Sequence, residues 1–159
     1  MFNLFGPRLF AYYTIELGKL FGSNPSLRHN FPKGPWPATT INLGPWTITF
    51  PHTDQGNLSF GWCSIMALGQ FNPHCGGHLI LWDLGLVIYF PPRSTILIPS
   101  AVVQHSNTAI QPSEEHFSFT HYAAGGLFCY VKNGLCSDRT CLKVATEAEL
   151  KQREEDCLW

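Results

Sequence analysis

The 159-residue sequence predicts a mainly β (α+β) protein, a jelly roll or β-sandwich with a helix at each end. Three observations carry this. From residue 39 onward, apolar runs of about five residues recur at roughly ten-residue intervals, separated by Gly, Pro, Asn and Asp. Over 7–22 and after residue 146 the spacing is helical instead. Charge is also distributed unevenly: residues 41–110 carry only Asp54, Asp83 and Arg93. A stretch so poor in charge is expected to be buried on both faces or to face a site, and each of its charges needs a reason.

Pro7 suits the first turn of a helix, and Leu9, Tyr13, Leu17, Leu20 and Phe21 follow at spacings of three and four. One amphipathic helix over 7–22 follows, closed by Gly22 and the turn-rich SNPS. A Pro/Gly-rich connector, NFPKGPWPATT, leads into the β region, expected over about 39–134. Its candidate strands are TTINL, WTITF, WCSIMAL, HLILW, LVIYF, TILIP, AVVQH, HFSFTHY and LFCYV. Thr146 and Glu149 form a capping box that opens a terminal helix over about 146–159. Its acidic end, Glu154, Glu155 and Asp156, has the wrong sign for a helix C-terminus, so continuation beyond Trp159 is expected. The length suits one domain over 1–159.

Composition excludes several classes. Lysine and arginine number 10 against 11 aspartates and glutamates, a net charge of 10 − 11 = −1, so no global field recruits nucleic acid. Charged residues are 13% of the chain, against about 25% typically. A disordered chain, a coiled coil and a basic tail are therefore excluded. No apolar run approaches the roughly 18 residues that span a bilayer, so no membrane partner is expected. The N-terminus lacks the basic, apolar and cleavage regions of a signal peptide, which predicts an intracellular protein. Six cysteines without a CxxC pair read as scattered reduced thiols with no disulfide-linked partner.

The chemistry centres on three residues. His52 and Asp54 lie two apart in FPHTDQGN, directly after WTITF, and alternate positions on a strand end share a face. His105 sits at the end of AVVQH, expected to be another strand. Two histidines and one carboxylate on one face form the facial triad of non-haem Fe(II), with positions left open for substrate and O2. The competing reading is a turn cap and unrelated surface histidines. His74 and His78 flank a Gly-Gly turn, and Asp83 reads as a turn residue. Trp62, Trp82, Phe60 and Phe71 read as core, with base stacking as the functional alternative. Arg8, Lys19, Arg28 and Lys33 are the candidate phosphate contacts of the first 40 residues.

Three blocks, PHTDQGNLSFGWCSIMALGQF, GGHLILWDLGLVIYFPPRSTILIPSAVVQHSN and FSFTHYAAGGLF, together resemble the TET/JBP-like 2-oxoglutarate/Fe(II) dioxygenases of basidiomycete fungi, a group often linked to transposons. The resemblance runs from about residue 7 to the terminal helix. It implies a double-stranded β-helix with its metal ligands at His52, Asp54 and His105 and with Fe(II) and 2-oxoglutarate as cofactors. It also implies oxidation of 5-methylcytosine in DNA, hence a nuclear location. The family's Arg-x-Ser, which holds the distal carboxylate of 2-oxoglutarate, falls on His116 and Ser118. Its usual glutamine is His121 here, and the arginine of GGLFRW is Cys129.

Histidine lacks the fixed charge and bidentate fork of arginine. Losing a buried charged partner costs roughly 2–5 kcal/mol. Arg93, the only basic residue of the apolar middle, is the candidate replacement, although its place after a Pro-Pro turn favours a solvated tip. Two rival readings follow: a protein or small-molecule hydroxylase of the same fold, and a non-catalytic metal-binding pseudoenzyme. Arg-to-His and Arg-to-Cys are both single C-to-T transitions at CpG-containing codons, which suggests a decayed copy of a methylated gene. Silent sites of the coding DNA are then expected to show a CpG-to-TpG bias, and their sequencing without such a bias would remove this explanation.

Overall fold

The computed structural model describes residues 1–156. Helices α1 (Phe2–Phe5) and α2 (Pro7–Ser23) come first. Seven strands follow: β1 (Ala38–Asn42), β2 (Cys63–Gln70), β3 (Leu79–Leu81), β4 (Leu86–Ile88), β5 (Thr95–Ile98), β6 (His105–Asn107) and β7 (Glu115–Tyr122). Helices α3 (Gly125–Lys132), α4 (Asp138–Val144) and α5 (Glu147–Asp156) close the described chain. The strands sort into two antiparallel sheets, β1–β7–β2–β5 and β4–β3–β6, with the chain crossing repeatedly between them as in a jelly roll. No helix among the described residues is long and apolar enough to cross a membrane.

Period-two alternation along β7 sets the layers. His116, Ser118, Thr120 and Tyr122 line a cavity between the sheets, while Phe117, Phe119 and His121 take the opposite face. Beside the cavity, Cys63, Ala67, Phe71, Leu79, Leu81, Phe90 and Ile98 form the inter-sheet core. Burial pushes the Cys63 thiol up to about 11, so it stays protonated and packs as a small apolar group. A second core lies under the helices. Pro7 occupies the first turn of α2, and Tyr13, Leu17 and Leu20 turn one stripe onto Trp36, Leu58, Ala123 and Phe128.

Two glycines permit close backbone approaches. Gly69 has φ +110°, and a Cβ there would collide with the Glu115 carbonyl across the β2–β7 ladder. At Gly44 a Cβ would lie 2.5 Å from the His116 carbonyl. Its absence lets residues 44–47 run against β7, where His116 N donates to Pro45 O (2.6 Å) and Thr47 N to His116 O (3.2 Å).

Several elements differ from the sequence expectations, each for a physical reason. WTITF is extended but makes no ladder, because the Asn107 side chain takes over the pairing. Its Oδ1 accepts from Thr49 N (2.7 Å), and its Nδ2 donates to Thr47 O (2.9 Å). AVVQH is not a strand: Val102 and Val103 fold back in a turn onto Pro99 O, and β6 starts at His105. LFCYV is helix α3, so the strands span 38–122 rather than 39–134. A short apolar run carries no period of its own, and here Phe128 and Val131 bury at helical spacing. Phe128 stacks on Tyr12 with ring centroids 5.3 Å apart. Helix α4, capped by Ser137 Oγ accepting from Thr140 N (3.2 Å), has no counterpart among the expected elements.

The terminal capping box forms as expected. Thr146 N donates to Glu149 Oε2 (2.8 Å) and Glu149 N to Thr146 Oγ1 (3.4 Å). The expected end of that helix, 157–159, lies outside the described residues. The charge-poor stretch is not buried on both faces. Trp46, Ile48, Phe50, Trp82 and Val87 are all exposed, as is Phe60, so two of the four supposed core aromatics, Trp82 and Phe60, are surface residues.

His121 faces the helical layer in an aromatic surround. Its ring stacks on Trp36 (5.4 Å, 7°) and meets the edges of Phe31 (4.5 Å) and Phe119 (4.6 Å). Burial lowers its pKa, partly offset by the Ala38 backbone. The unfolded ring titrates near the ordinary value of about 6.5, so below that pH unfolding takes up a proton that the folded ring resists. The stability that neutral His121 contributes is complete above the ordinary value and is lost as pH falls through the lowered one. Thermal melts between about pH 7.5 and pH 5 should therefore fall more steeply for the wild type than for His121→Gln; equal slopes would refute the assignment.

Candidate metal centre

The segment after WTITF reaches β6 through one reciprocal pair of backbone bonds. His52 N donates to His105 O (3.1 Å) and His105 N to His52 O (2.9 Å). Residues paired in this way are directly opposite, with side chains on the same face. The two imidazole centroids are consequently 4.4 Å apart. Asp54 is placed by its own backbone, Asp54 N donating to Ser100 O (2.8 Å), which brings Oδ1 to 3.7 Å from His52 Nε2. One ligand atom from each of His52, Asp54 and His105 lies within 4.8 Å of the others, so the structure brings the three predicted residues together.

The surroundings orient each donor. Nδ1 of His52 bonds to Phe50 O (2.7 Å) and Nδ1 of His105 to Val103 O (3.0 Å). A carbonyl only accepts, so each ring carries its proton on Nδ1 and presents the Nε2 lone pair. Metal-bound histidines are held in this way. Asn57 Nδ2 donates to Asp54 Oδ2 (3.3 Å) and Ser100 Oγ (3.1 Å), leaving Oδ1 towards the histidines. His105 is buried at 5% exposure, while the His52 and Asp54 side chains keep 41% and 32%, so the centre is open on one side. Two imidazole nitrogens and one carboxylate oxygen on one side of an open site fit Fe(II).

The triad borders a cavity of about 380 Å3. Away from the triad, and among the described residues, its wall has no acidic or basic side chain other than His116: Thr40, Asn42, Thr49 and Asn107 line it beside the apolar Ile65, Leu79 and Phe90. No lysine or arginine lines it among the described residues. His116 and Ser118 both do. His116 Nδ1 bonds to Thr47 O (3.0 Å), its edge meets Phe71 (centroids 5.0 Å), and its Nε2 is buried without a partner. Ser118 Oγ accepts from Asn42 Nδ2 (2.7 Å).

The remaining candidates fall elsewhere. Arg93 is exposed on the turn before β5 with φ +71° and does not line the cavity, so it offers no replacement charge there. Cys129 is exposed on α3. Asp83 Oδ2 accepts from Gln104 N (2.6 Å), which ties down the turn leading into His105. His74 is exposed and bonds to Tyr89 Oη (3.3 Å), and His78 bonds to Thr108 through its backbone (2.9 Å). Trp62, Trp82, Phe60 and Phe71 are all absent from the cavity wall. Lys19 is paired with Glu16 (2.8 Å). Asn57, Ser100 and Asn107 escaped sequence reasoning. Asn57 had one signal, its place at the end of the D-Q-G-N turn.

No protein-family model matches the chain, and no curated protein matches it. Among solved structures it is similar to NgTET1 in complex with 5mC DNA, at 20% identity and a TM-score of 0.50, covering 74% of this chain and 48% of that one. It therefore spans about half the length of the TET chain. A second match is the viral collagen prolyl hydroxylase vCPH from Paramecium Bursaria Chlorella virus-1 in its 2OG complex. That match has 11% identity and a TM-score of 0.36 over 72% of this chain and 73% of that one. The likeness to NgTET1 is one of fold, a jelly roll, and in this chain the His-Asp-His cluster lies at its cavity.

Removal of a ligand is expected to abolish tight Fe(II) binding in Asp54→Ala, measured anaerobically by calorimetry. Asn57→Ala, which frees the carboxylate to rotate, should weaken it by about tenfold. Unchanged affinity in Asp54→Ala would exclude this centre.

Proposed function

We propose that the chain is a TET/JBP-like dioxygenase, dependent on Fe(II) and 2-oxoglutarate, that oxidises 5-methylcytosine in DNA through a cosubstrate site weakened by His116. The observation that carries this reading is the oriented triad of His52, Asp54 and His105 at the cavity of an oxygenase jelly roll. Fe(II) with 2-oxoglutarate supplies the oxidising chemistry, in which O2 is consumed, 2-oxoglutarate is decarboxylated to succinate and a substrate C–H bond is hydroxylated. The protein supplies ligation and a shaped pocket. His52 and His105 offer Nε2 donors locked by backbone carbonyls, and Asp54 offers an oxygen steadied by Asn57. The cavity volume is at the small end of ligand sites, which suits a small cosubstrate and one base turned out of its stack.

The DNA substrate is supported by the sequence resemblance and by the likeness to a TET chain bound to 5mC DNA. Net charge of −1 gives it no electrostatic help. The weakened site follows from His116, which stands where the resemblance implies an arginine, in a cavity wall without a cationic lysine or arginine. That observation also favours a second reading, a pseudoenzyme that keeps the metal and loses turnover.

Anaerobic titration of the Fe(II)-loaded protein with 2-oxoglutarate, followed by the visible metal-to-ligand charge-transfer band, separates these readings. His116→Arg should tighten binding by about thirtyfold to a few thousandfold. Turnover by that variant on a methylated duplex, read as hydroxymethylcytosine by mass spectrometry, is the expected result. No gain in affinity would remove the role assigned to His116. A band without oxidation of any methylated DNA would remove the substrate.

A further inference from the structure

We propose that the His116–Ser118 part of the cavity recognises a neutral carboxamide in preference to a carboxylate, because it pairs one hydrogen-bond acceptor with one donor. The inference rests on the proposed metal centre and on a 2-oxo acid chelating its iron. It concerns the other end of that ligand.

The two residues lie two apart on the inner face of β7, with Cα atoms about 6.7 Å from each other by strand geometry. Their side chains share one face of the strand, so the donor and the acceptor of a single planar amide can meet one each. Both side chains are enclosed, His116 at 4% exposure and Ser118 at 8%. The acceptor is fixed by the fold. Thr47 O faces His116 Nδ1 at 3.0 Å, and that carbonyl is itself held by Asn107 Nδ2 at 2.9 Å. In the neutral ring the proton therefore sits on Nδ1, and the buried, unpartnered Nε2 presents a lone pair. The donor is the Ser118 hydroxyl. Ser118 Oγ already accepts from Asn42 Nδ2 (2.7 Å), so its own hydrogen is available.

A carboxamide answers both groups, its N–H donating to His116 Nε2 and its oxygen accepting from Ser118 Oγ. A carboxylate sets an acceptor against an acceptor and loses its hydration, with no lysine or arginine on the cavity wall among the described residues to compensate.

The test compares two inert ligands that share an oxalyl chelating end and differ only at the other: N-oxalylglycine and N-oxalylglycinamide. Each is titrated by anaerobic calorimetry into the full chain loaded with Fe(II), at about pH 8, above the ordinary histidine range. The amide is expected to bind at least about tenfold more tightly to the wild type. His116→Arg should reverse the order. Ser118→Ala, a milder change, should weaken amide binding by about tenfold through the lost donor. Equal affinities, or tighter binding of N-oxalylglycine, overturn the amide preference and leave the dioxygenase reading standing. Binding of neither ligand to the Fe(II)-loaded protein, or failure to load Fe(II), overturns both.

Discussion

The reciprocal backbone bonds between His52 and His105 are the constraint on which the rest of the site depends. They are the only point at which the 46–54 segment pairs with β6 through its backbone among the described residues. Their geometry places two imidazoles on one side of the join at contact distance. The segment needs no further ladder because Asn107 substitutes its side-chain amide for two missing backbone partners. One residue thereby secures the segment that leads to the first ligand and holds the Thr47 carbonyl in place. The metal ligands and the cavity wall are thus coupled through a single asparagine.

That coupling explains why the polar groups on the cavity wall are threonine and asparagine side chains rather than charges. Residues 44–47 can approach β7 only because Gly44 has no side chain, and the approach delivers Thr47 O to the His116 ring. Threonine and asparagine side chains then bond to one another and to the backbone, which satisfies them on the cavity wall. An arginine at position 116 would bring a guanidinium into this wall with a fixed charge and five donors. The histidine instead ends in a lone pair. The same alternation that turns Thr47 and Thr49 inward turns Trp46, Ile48 and Phe50 outward, where they are exposed.

The helical layer obeys a different logic. Large aromatic side chains fill the space above the four-stranded sheet, with Phe2 stacked on Trp36 (4.9 Å) and Trp36 on His121. His121 belongs to this packing and faces away from the cavity, although it is only three residues from Ser118. Strand parity separates the cavity-facing His116 from His121, which packs among aromatic rings.

Much was legible in the sequence. The helix from Pro7, the capping box at Thr146, six of the strand runs and the grouping of His52, Asp54 and His105 all follow from period, punctuation and residue type. These features are local or depend on a side chain's own chemistry. The order of the sheets, the loss of the WTITF ladder and the helical fate of LFCYV were not legible. The outward position of Arg93, by contrast, follows from the Pro-Pro turn before it. An apolar run has no preference of its own between strand and helix, and a strand's pairing depends on which distant group reaches it first. Position 116 is a histidine from the sequence alone. Its state as a buried acceptor was decided by the tertiary structure, because the carbonyl that holds its proton lies 69 residues away in the chain.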